Sequence, residues 1–271
     1  MIIKKPWGRR KPPLGVMHNP SHPLSQGLVS HLILNEFGGV TAFDVSGNGN
    51  SGTLTGPTWV HGQFGSAIDF DGSNDYLRIA DKTSLDTGDI ISVSMWFRRF
   101  STTPTGSYEI LFTKGEATLV IAIDASGDDK VEVYKYSGGI IAPASVATSD
   151  TDWHHLVVSK KGAVSFKIVL DGVDRTGTVT DKTLVNSTFS ALIGADVDNL
   201  DAPVAGTYFK GQTDDIRIYN RALPDDETLS LYTNPYTDMI PMRTFIGKLA
   251  TVGFKPYWAT PRSGVIGAGA I

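Results

Sequence analysis

A glycine-rich loop carries oxygen-bearing side chains at every second position, at Asp44, Ser46, Asn48 and Asn50. Such a loop can wrap a hard cation such as Ca²⁺ with side-chain and backbone oxygens. Because only one of the four is a carboxylate, a second is needed. Asp214 can supply it from the start of a predicted strand, where it shares the inward parity of the apolar residues that follow. The sequence therefore predicts a calcium site at Asp44, Asn48 and Asp214; a turn that caps nearby amides is the alternative.

Five aromatic residues are candidates for a sugar-binding platform: Trp59, Tyr108, Tyr134, Tyr136 and Tyr208. A sugar site needs an exposed aromatic ring with a few fixed polar groups around it. Each candidate sits in or beside an alternating apolar–polar segment, where core or cross-strand packing is the competing explanation. We take Trp59 and Tyr134 as the predicted glycan platform.

Residue patterns typical of catalysis are missing from the sequence. It contains no Gly-x-Ser-x-Gly elbow, no His-Glu-x-x-His and no dinucleotide fingerprint. His154 and His155 are adjacent on a predicted strand, so their side chains point to opposite faces and cannot share one ligand. The sequence predicts a protein without enzymatic activity.

The elements that position these residues are short strands. Period-two alternation recurs along the chain, most clearly over residues 91–97, 131–136, 155–159, 164–170 and 214–219, with turn residues between the segments. This pattern is typical of half-buried strands in a sandwich or barrel. One helix is predicted over residues 224–232, with acidic residues in its first turn and Leu223, Leu229 and Tyr232 facing the core.

The charge distribution separates the chain into three parts. The formal net charge is −4, yet residues 1–35 carry +5, residues 239–271 carry +4, and the segment between them carries −13. Charge asymmetry of this kind usually reflects partners rather than fold. The chain has no cysteine, which excludes disulfides and thiolate metal sites, and no apolar run approaches the roughly 18 residues that would span a membrane.

The two basic ends are predicted to be extended arms that dock on neighbouring protein. Five prolines before residue 24 disfavour a helix in the N-terminal arm. A proline-rich arm without a base-reading module, on an acidic body, argues against nucleic acid as the partner. The predicted assembly residues are Lys4, Lys5, Trp7, Arg9, Arg10, Lys11, Trp258, Arg262, Ile266 and Ile271.

Six segments of the body, in order, resemble a laminin G-like domain of the concanavalin A-like jelly-roll superfamily. They are residues 27–29 with 34–36, 44–52, 67–72 with 75–77, 93–96, the Trp153-His154-His155-Leu156 strand, and 214–223. The aromatic residue usual before the Leu34-Asn35-Glu36 motif is replaced by Leu32 and Ile33. The resemblance implies a calcium ion near residues 44–52 and 214–223. The related glucanases use closely spaced carboxylates on one strand, but no Glu-x-Asp-x-x-Glu occurs here.

The arms, at residues 7–28 and 257–269, resemble those of laminin G-like proteins encoded by tailed phages and prophages. We therefore expect an all-β chain: an antiparallel jelly-roll β-sandwich over residues 27–235, with arms at 1–26 and 236–271. The resemblance implies a non-enzymatic virion structural protein, a capsid decoration or tail component, that displays a lectin-like sandwich with weak glycan binding. A receptor-binding lectin of a tail fibre or spike is the first alternative, and a glycosidase is the second.

Partners and location follow from that expectation. The predicted partners are other virion proteins, further copies of the chain in a homo-oligomer, and a host glycan, with neither nucleic acid nor membrane. The predicted location is the exposed surface of a virion assembled in the bacterial host cytoplasm.

Overall fold

The computed structural model describes residues 9–100, 108–115, 118–124, 127–135 and 139–241. Its first nine strands are β1 (Val16–His18), β2 (Leu28–Leu32), β3 (Thr41–Ala42), β4 (Gly52–Thr55), β5 (Thr58–His61), β6 (Ser66–Asp71), β7 (Tyr76–Ile79), β8 (Ile90–Arg99) and β9 (Tyr108–Thr113). The others are β10 (Val120–Asp124), β11 (Lys130–Lys135), β12 (Gly139–Ala147), β13 (His154–Lys161), β14 (Ser165–Leu170), β15 (Val173–Asp174), β16 (Ala191–Ile193), β17 (Lys210–Tyr219) and β18 (Met239–Pro241). The helix α1 spans Asp225–Thr233, and short 3₁₀ turns lie at Pro23–Ser25 and Thr83–Leu85.

Two large sheets form the sandwich, and every ladder between their strands is antiparallel. The first sheet has the order β12-β11-β10-β9-β16-β7-β4-β3. The second has the order β15-β14-β13-β8-β17-β6-β5, and β2 also pairs with β17. The prediction of an all-β antiparallel sandwich is confirmed.

The main core lies between the two sheets, as the sequence alternation requires. In β8, Ile91, Val93, Met95 and Phe97 enter this core, while the alternate residues face the opposite side of the sheet. The first sheet contributes apolar residues such as Phe112 to the same core. Burial of this continuous apolar layer is the main stabilising contribution, at roughly 25 cal/mol for each Å² removed from water.

The outer face of the second sheet is also covered, by α1 and by parts of both arms. A second apolar cluster joins Leu24, Val157, Tyr219 and Leu231. A third contains Val16 from the N-terminal arm and Met239 from the C-terminal segment. These contacts explain why residues flanking the sandwich are ordered: each buries apolar side chains on it.

The predicted helix is confirmed, with a correction to its buried face. It begins after Pro224 and has three acidic residues in its first turn, where they interact favourably with the helix dipole. Thr228 and Leu231 are its buried residues, whereas Leu229 is 48% exposed. The expectation that Leu229 faces the core is wrong because the helix is rotated so that Leu231 enters the second cluster.

Parts of both predicted arms form a small sheet of their own. Strand β1 pairs antiparallel with β18, so that His18 lies opposite Met239. Lys4, Lys5 and Trp7 of the N-terminal arm lie outside the described residues, as do Trp258, Arg262, Ile266 and Ile271 of the C-terminal arm. In the described part of the chain, no helix is both long enough and apolar enough to cross a membrane.

Candidate functional site

An aromatic cavity of about 330 Å³ lies on the outer face of the first sheet. We call it the Tyr108–Tyr134 pocket; its described lining residues are Tyr108, Tyr134, Gly139, Ile140, Asp196, Val204 and Thr207. The two tyrosine rings are tilted by 51° with centroids 5.7 Å apart. Both remain partly exposed, as a ligand platform requires.

The strand pattern places these tyrosines outward. Strand β10 pairs with β9 on one side and β11 on the other, with Asp124 opposite Tyr108 and Val120 opposite Tyr134. Alternation sends Ile121 into the main core, and Val120 and Ala122 form an apolar cluster beside the tyrosines on the outer face. The rings are therefore supported by packed side chains rather than by a loop.

Acidic groups surround this pocket. Glu132, two residues before Tyr134 on β11, is only 8% exposed, and its carboxylate and the Tyr108 hydroxyl are hydrogen-bonded. Burial, followed by the charges of Asp124 and Asp128, raises the pKa of Glu132. Burial and then Glu132 and Asp124 also raise the pKa of Tyr108. The pocket therefore lies in a region of negative potential.

The two residues predicted as a glycan platform are not brought together. Tyr134 lines the pocket, but Trp59 lies on β5 in the second sheet, where it packs against the main core. The Trp59 indole Nε1 donates to the backbone oxygen of Gly39 at 2.7 Å. The ring that pairs with Tyr134 is that of Tyr108, which the sequence offers only as one of five candidates. Tyr136 lies outside the described residues.

The loop predicted to bind calcium is a turn closed by its own hydrogen bonds. Oδ1 of Asp44 accepts from the backbone amides of His31 and Ser46, both at 2.9 Å. Its Oδ2 accepts from the Ser46 hydroxyl and from the backbone amide of Asn50, both at 2.8 Å. The Asn48 side-chain amide donates to the backbone oxygen of Leu28 at 2.9 Å. This donor set occupies the oxygens that a cation would use.

Asp214 is held by the N-terminal arm instead. A β-bulge in β17 falls between Asp214 and Arg217, and Asp215 has a φ of +46°. The bulge places Asp214 opposite Trp96, on the outer face, so the predicted inward parity is wrong. Lys11 forms a buried salt bridge to Asp214 at 2.5 Å. Burial raises the pKa of Asp214 to about 6, although Lys11 lowers it in part.

These arrangements do not fit a calcium ion at Asp44, Asn48 and Asp214. The carboxylate of Asp44 is fully engaged, and that of Asp214 has a lysine as its counter-ion. Within the described residues, no three histidine, aspartate or glutamate side chains are grouped so that they can hold a metal. The calcium site stays a prediction that a binding measurement tests.

Five buried side chains, which we call the charge ring, join the arms to the sandwich. Nδ1 of His18 lies 2.6 Å from Asp238 Oδ2, and Nε2 of His18 lies 3.0 Å from Nδ1 of His31. Nε2 of His31 lies 2.5 Å from Asp215 Oδ1. The ring closes through Arg217, whose Nε is 3.5 Å from Asp215 and whose Nη1 is 3.2 Å from Asp238. His31 and Arg217 are register partners in the β2–β17 ladder.

The electrostatics of the charge ring are mutually consistent. Burial, followed by the charge of Arg217, lowers the pKa of His31 to about 4. Burial alone raises the pKa of Asp215 and of Asp238, but Arg217 and the neighbouring histidines outweigh it, so both values fall below the ordinary one. The two carboxylates are therefore ionised against Arg217 at neutral pH.

Arg9 is placed over aromatic rings of the same outer face. Its guanidinium carbon lies 5.8 Å from the ring centroids of Phe64 and Trp96 and 5.7 Å from that of Tyr232. This is cation–π geometry. Arg9 and Lys11, both predicted to contact neighbouring protein, thus contact the chain's own sandwich, although Arg9, like Arg10, remains exposed.

The adjacent histidines of β13 point to opposite faces and have structural partners. His154 lies 2.8 Å from Asp171 and 3.0 Å from Asp150. The hydrogen bond to Asp171 chiefly raises the pKa of His154 to about 9, against the effect of burial. His155 is buried beside Ser94 at 3.0 Å, and burial lowers its pKa to about 4. The two rings do not form a shared site.

A larger groove of about 740 Å³ lies beside α1 and includes Lys167 and Arg221. Lys167 pairs with Asp225, and Arg221 pairs with Glu227. Because these two cations already have carboxylate partners and no aromatic ring is among the described lining residues, the groove offers less to a sugar than the Tyr108–Tyr134 pocket. Glu109 forms a buried salt bridge to Arg99 at 2.9 Å.

The fold is that of a lectin-like β-sandwich. The chain belongs to the concanavalin A-like lectin/glucanases superfamily: the Laminin_G_3 family model matches residues 71–228. No curated protein sequence matches the chain significantly.

Solved structures share the fold at low sequence identity. Domain 4 of AbnA, a GH43 extracellular arabinanase from Geobacillus stearothermophilus solved with arabinotriose, superimposes with a TM-score of 0.58 at 20% identity, covering 76% of this chain and 98% of that domain. The binding domain of Paraclostridial Mosquitocidal Protein 1 has a TM-score of 0.63 at 17% identity, and the match covers 77% of this chain and 52% of that binding domain's chain. Trypanosoma rangeli sialidase in complex with sialic acid has a TM-score of 0.56 at 15% identity, and the match covers 81% of this chain and 36% of the sialidase chain.

Proposed function

We propose that the chain is a non-enzymatic glycan-binding protein that presents the Tyr108–Tyr134 pocket on the outer face of its sandwich. The observation that carries this proposal is the tilted tyrosine pair in one pocket with the carboxylate residue Asp196. Aromatic rings cover the apolar face of a sugar, and carboxylates accept hydrogen bonds from its hydroxyl groups. The likeness to a domain solved with arabinotriose agrees with this proposal.

The pocket is tested by binding of the full chain to an array of immobilised glycans. We expect Tyr108→Ala and Tyr134→Ala to abolish the signal. Phe43→Ala is the matched control, because Phe43 is 57% exposed and follows β3 at the opposite end of the same sheet. Absence of any bound glycan, or equal loss in all three variants, would refute the proposal.

We further propose that the chain works on a phage particle, as a capsid decoration or tail component anchored through its arms. The +5 and +4 ends on a −13 body support this proposal, as does the resemblance of the arms to those of phage-encoded proteins. Charge complementarity between an arm and an acidic neighbouring body orients subunits as well as attracting them. Other virion proteins and further copies of the chain are the proposed partners.

Deletion of the gene separates this role from that of a receptor-binding lectin. If the chain is a decoration, we expect particles without it to assemble and adsorb normally; if it is a tail-fibre lectin, we expect them to assemble but no longer adsorb. Absence of the chain from purified particles, by mass spectrometry, would refute both. Release of reducing sugars from bacterial polysaccharide by the purified chain would instead establish the glycosidase alternative.

A further inference from the structure

We propose that the Tyr108–Tyr134 pocket selects sugars by charge: it accepts neutral and amine-bearing sugars and rejects those that carry a carboxylate, sulfate or phosphate group. This inference rests on the proposed glycan-binding function and specifies the ligand class of the same pocket.

Three carboxylates from three different elements surround the pocket. Asp196, which follows β16, lines it directly. Glu132 on β11 is held at the Tyr108 hydroxyl, and Asp124 at the end of β10 lies opposite Tyr108 in the ladder. Because these groups lie in different elements, their convergence belongs to the folded sheet and not to one acidic loop.

No lysine or arginine is among the described residues that line the pocket. The basic side chains on nearby elements have partners of their own. Lys130 pairs with Asp128, and Arg78 pairs with Asp201 at 2.8 Å. Lys135, next to Tyr134, donates to the backbone oxygen of Thr183 at 2.9 Å. Lys130 lowers the pKa of Glu132 in part, but the charges of Asp124 and Asp128 outweigh it, so an acidic sugar meets a net negative potential.

One oxygen of the buried Glu132 carboxylate lacks a hydrogen-bond partner within the described structure. Its Oε2 is inaccessible to solvent and accepts no hydrogen bond, a costly state for a buried polar atom. Because the oxygen is enclosed, the charge of this carboxylate acts on the pocket through space and not by direct contact: it attracts an ammonium group and repels a carboxylate, sulfate or phosphate. After burial, the charges of Asp124 and Asp128 raise the pKa of Glu132, which agrees with a negative local potential.

The aromatic rings favour the same ligands. The face of a tyrosine ring carries negative quadrupole charge, so it attracts C–H groups and cations. Neutral and amine-bearing rings can stack on Tyr108 and Tyr134, while an anionic substituent directed at a ring face is disfavoured. Rings and carboxylates therefore select in the same direction.

The test compares the full chain on soluble probes matched in ring stereochemistry. Oligomers of galactose are compared with oligomers of galacturonate, and oligomers of N-acetylglucosamine with the deacetylated, cationic form, by titration calorimetry at low salt. We expect galacturonate oligomers to bind at least about tenfold more weakly than galactose oligomers, which is the effect of about one unscreened like-charge contact near a protein surface. The cationic oligomers should bind at least as tightly as the N-acetylated ones. Added salt should narrow this gap, because exposed charges are screened.

Glu132→Gln supplies the discriminating variant. It keeps the shape of the side chain but removes its charge, so the ratio of neutral to acidic affinity should fall several-fold. If galacturonate oligomers bind wild type as well as galactose oligomers do, and Tyr134→Ala abolishes both, the charge inference fails while the glycan-binding proposal stands. If no probe and no array glycan binds, or if Tyr134→Ala changes nothing, the proposed function itself fails.

Discussion

Nε2 of His18 lies 3.0 Å from Nδ1 of His31, and the outer nitrogen of each ring meets a different carboxylate. A hydrogen bond between two ring nitrogens holds one proton, so one of the facing nitrogens must be the acceptor. The pKa of His31, lowered to about 4 chiefly by burial, makes this ring neutral at pH 7. His31 therefore donates from Nε2 to Asp215 and accepts at Nδ1 from His18. A strand of the N-terminal arm is thereby joined to the closing strand of the sandwich.

The first prediction concerns Asp238, which faces both His18 and Arg217 in the charge ring. Asp238→Asn keeps the shape of the side chain but leaves Arg217 with less compensating charge. Removing one partner of a buried ion pair costs about 3–5 kcal/mol, which urea unfolding at pH 7 measures. Hydrogen exchange should also show faster exchange in β1.

Asp225→Asn is the matched control for that prediction. The Lys167–Asp225 pair is exposed, with side-chain accessibilities of 31% and 76%. Exposed pairs contribute about 0–1 kcal/mol. Equal destabilisation by the two substitutions would contradict a special role for the charge ring.

The second prediction concerns stability in mild acid. His31 and His155 each have a pKa lowered to about 4 by burial. Between that value and the ordinary pKa of histidine, the unfolded chain binds protons that the folded chain does not, so stability rises with pH by up to about 1.4 kcal/mol per unit for each ring. Asp214 has the opposite effect: because its pKa in the folded chain is raised, its contribution makes stability fall as the pH rises to about 6.

His155→Gln isolates one of these contributions. Glutamine can still hydrogen-bond to Ser94. The slope of the unfolding free energy against pH should therefore fall by up to about 1.4 kcal/mol per pH unit between pH 4.5 and 6, which corresponds to one proton. His61→Gln, at an exposed histidine of β5, should leave the slope unchanged. A wild-type slope in His155→Gln would show that His155 is not held neutral by burial.

The third prediction concerns the salt bridge from Lys11 to Asp214. Lys11→Met should leave the Asp214 carboxylate buried without its counter-ion and raise its pKa beyond about 6, because Lys11 now lowers that pKa. Combined with Asp214→Asn, the loss of stability should be smaller than the sum of the single losses by about 0.5–3 kcal/mol. Strict additivity in urea unfolding would show that the arm and the sandwich are not coupled here.

Local pattern was sufficient to predict the class of fold. The alternation over residues 91–97 corresponds to strand β8, with Ile91, Val93, Met95 and Phe97 all in the core. A helix signal after Pro224 was equally local. These predictions succeeded because the periodicities of strands and helices depend on near neighbours.

Other features depend on contacts between residues far apart in sequence. The bulge at Asp215 reverses the parity of Asp214, and no nearby turn residue signals it. His18 and Asp238 are separated by 220 positions, so their pairing follows only from the β1–β18 ladder. Trp59 and Tyr134 show the same local alternation, yet only the arrangement of the sheets decides which ring packs on the core.

The fourth prediction separates those two aromatic residues. Trp59→Ala removes a half-buried indole from the main core together with its hydrogen bond to Gly39. We expect a stability loss of about 2–3 kcal/mol, below the 3–5 kcal/mol typical of a fully buried aromatic residue, with no change in glycan affinity. Tyr134→Ala should show the reverse. Weaker glycan binding by a folded Trp59→Ala chain would restore Trp59 to the platform.

The last prediction concerns calcium. Because Asp44 already accepts four hydrogen bonds from its own loop and from His31, we expect 1 mM Ca²⁺, compared with a chelator, to change the unfolding temperature by less than about 1 °C. An ion at about one hundred times its Kd would add about 2.7 kcal/mol, equivalent to several degrees for a chain of this size. Scanning calorimetry distinguishes the two outcomes. A rise of several degrees that Asp44→Asn abolishes would mean that the loop exchanges its internal hydrogen bonds for the ion, as the sequence pattern predicts.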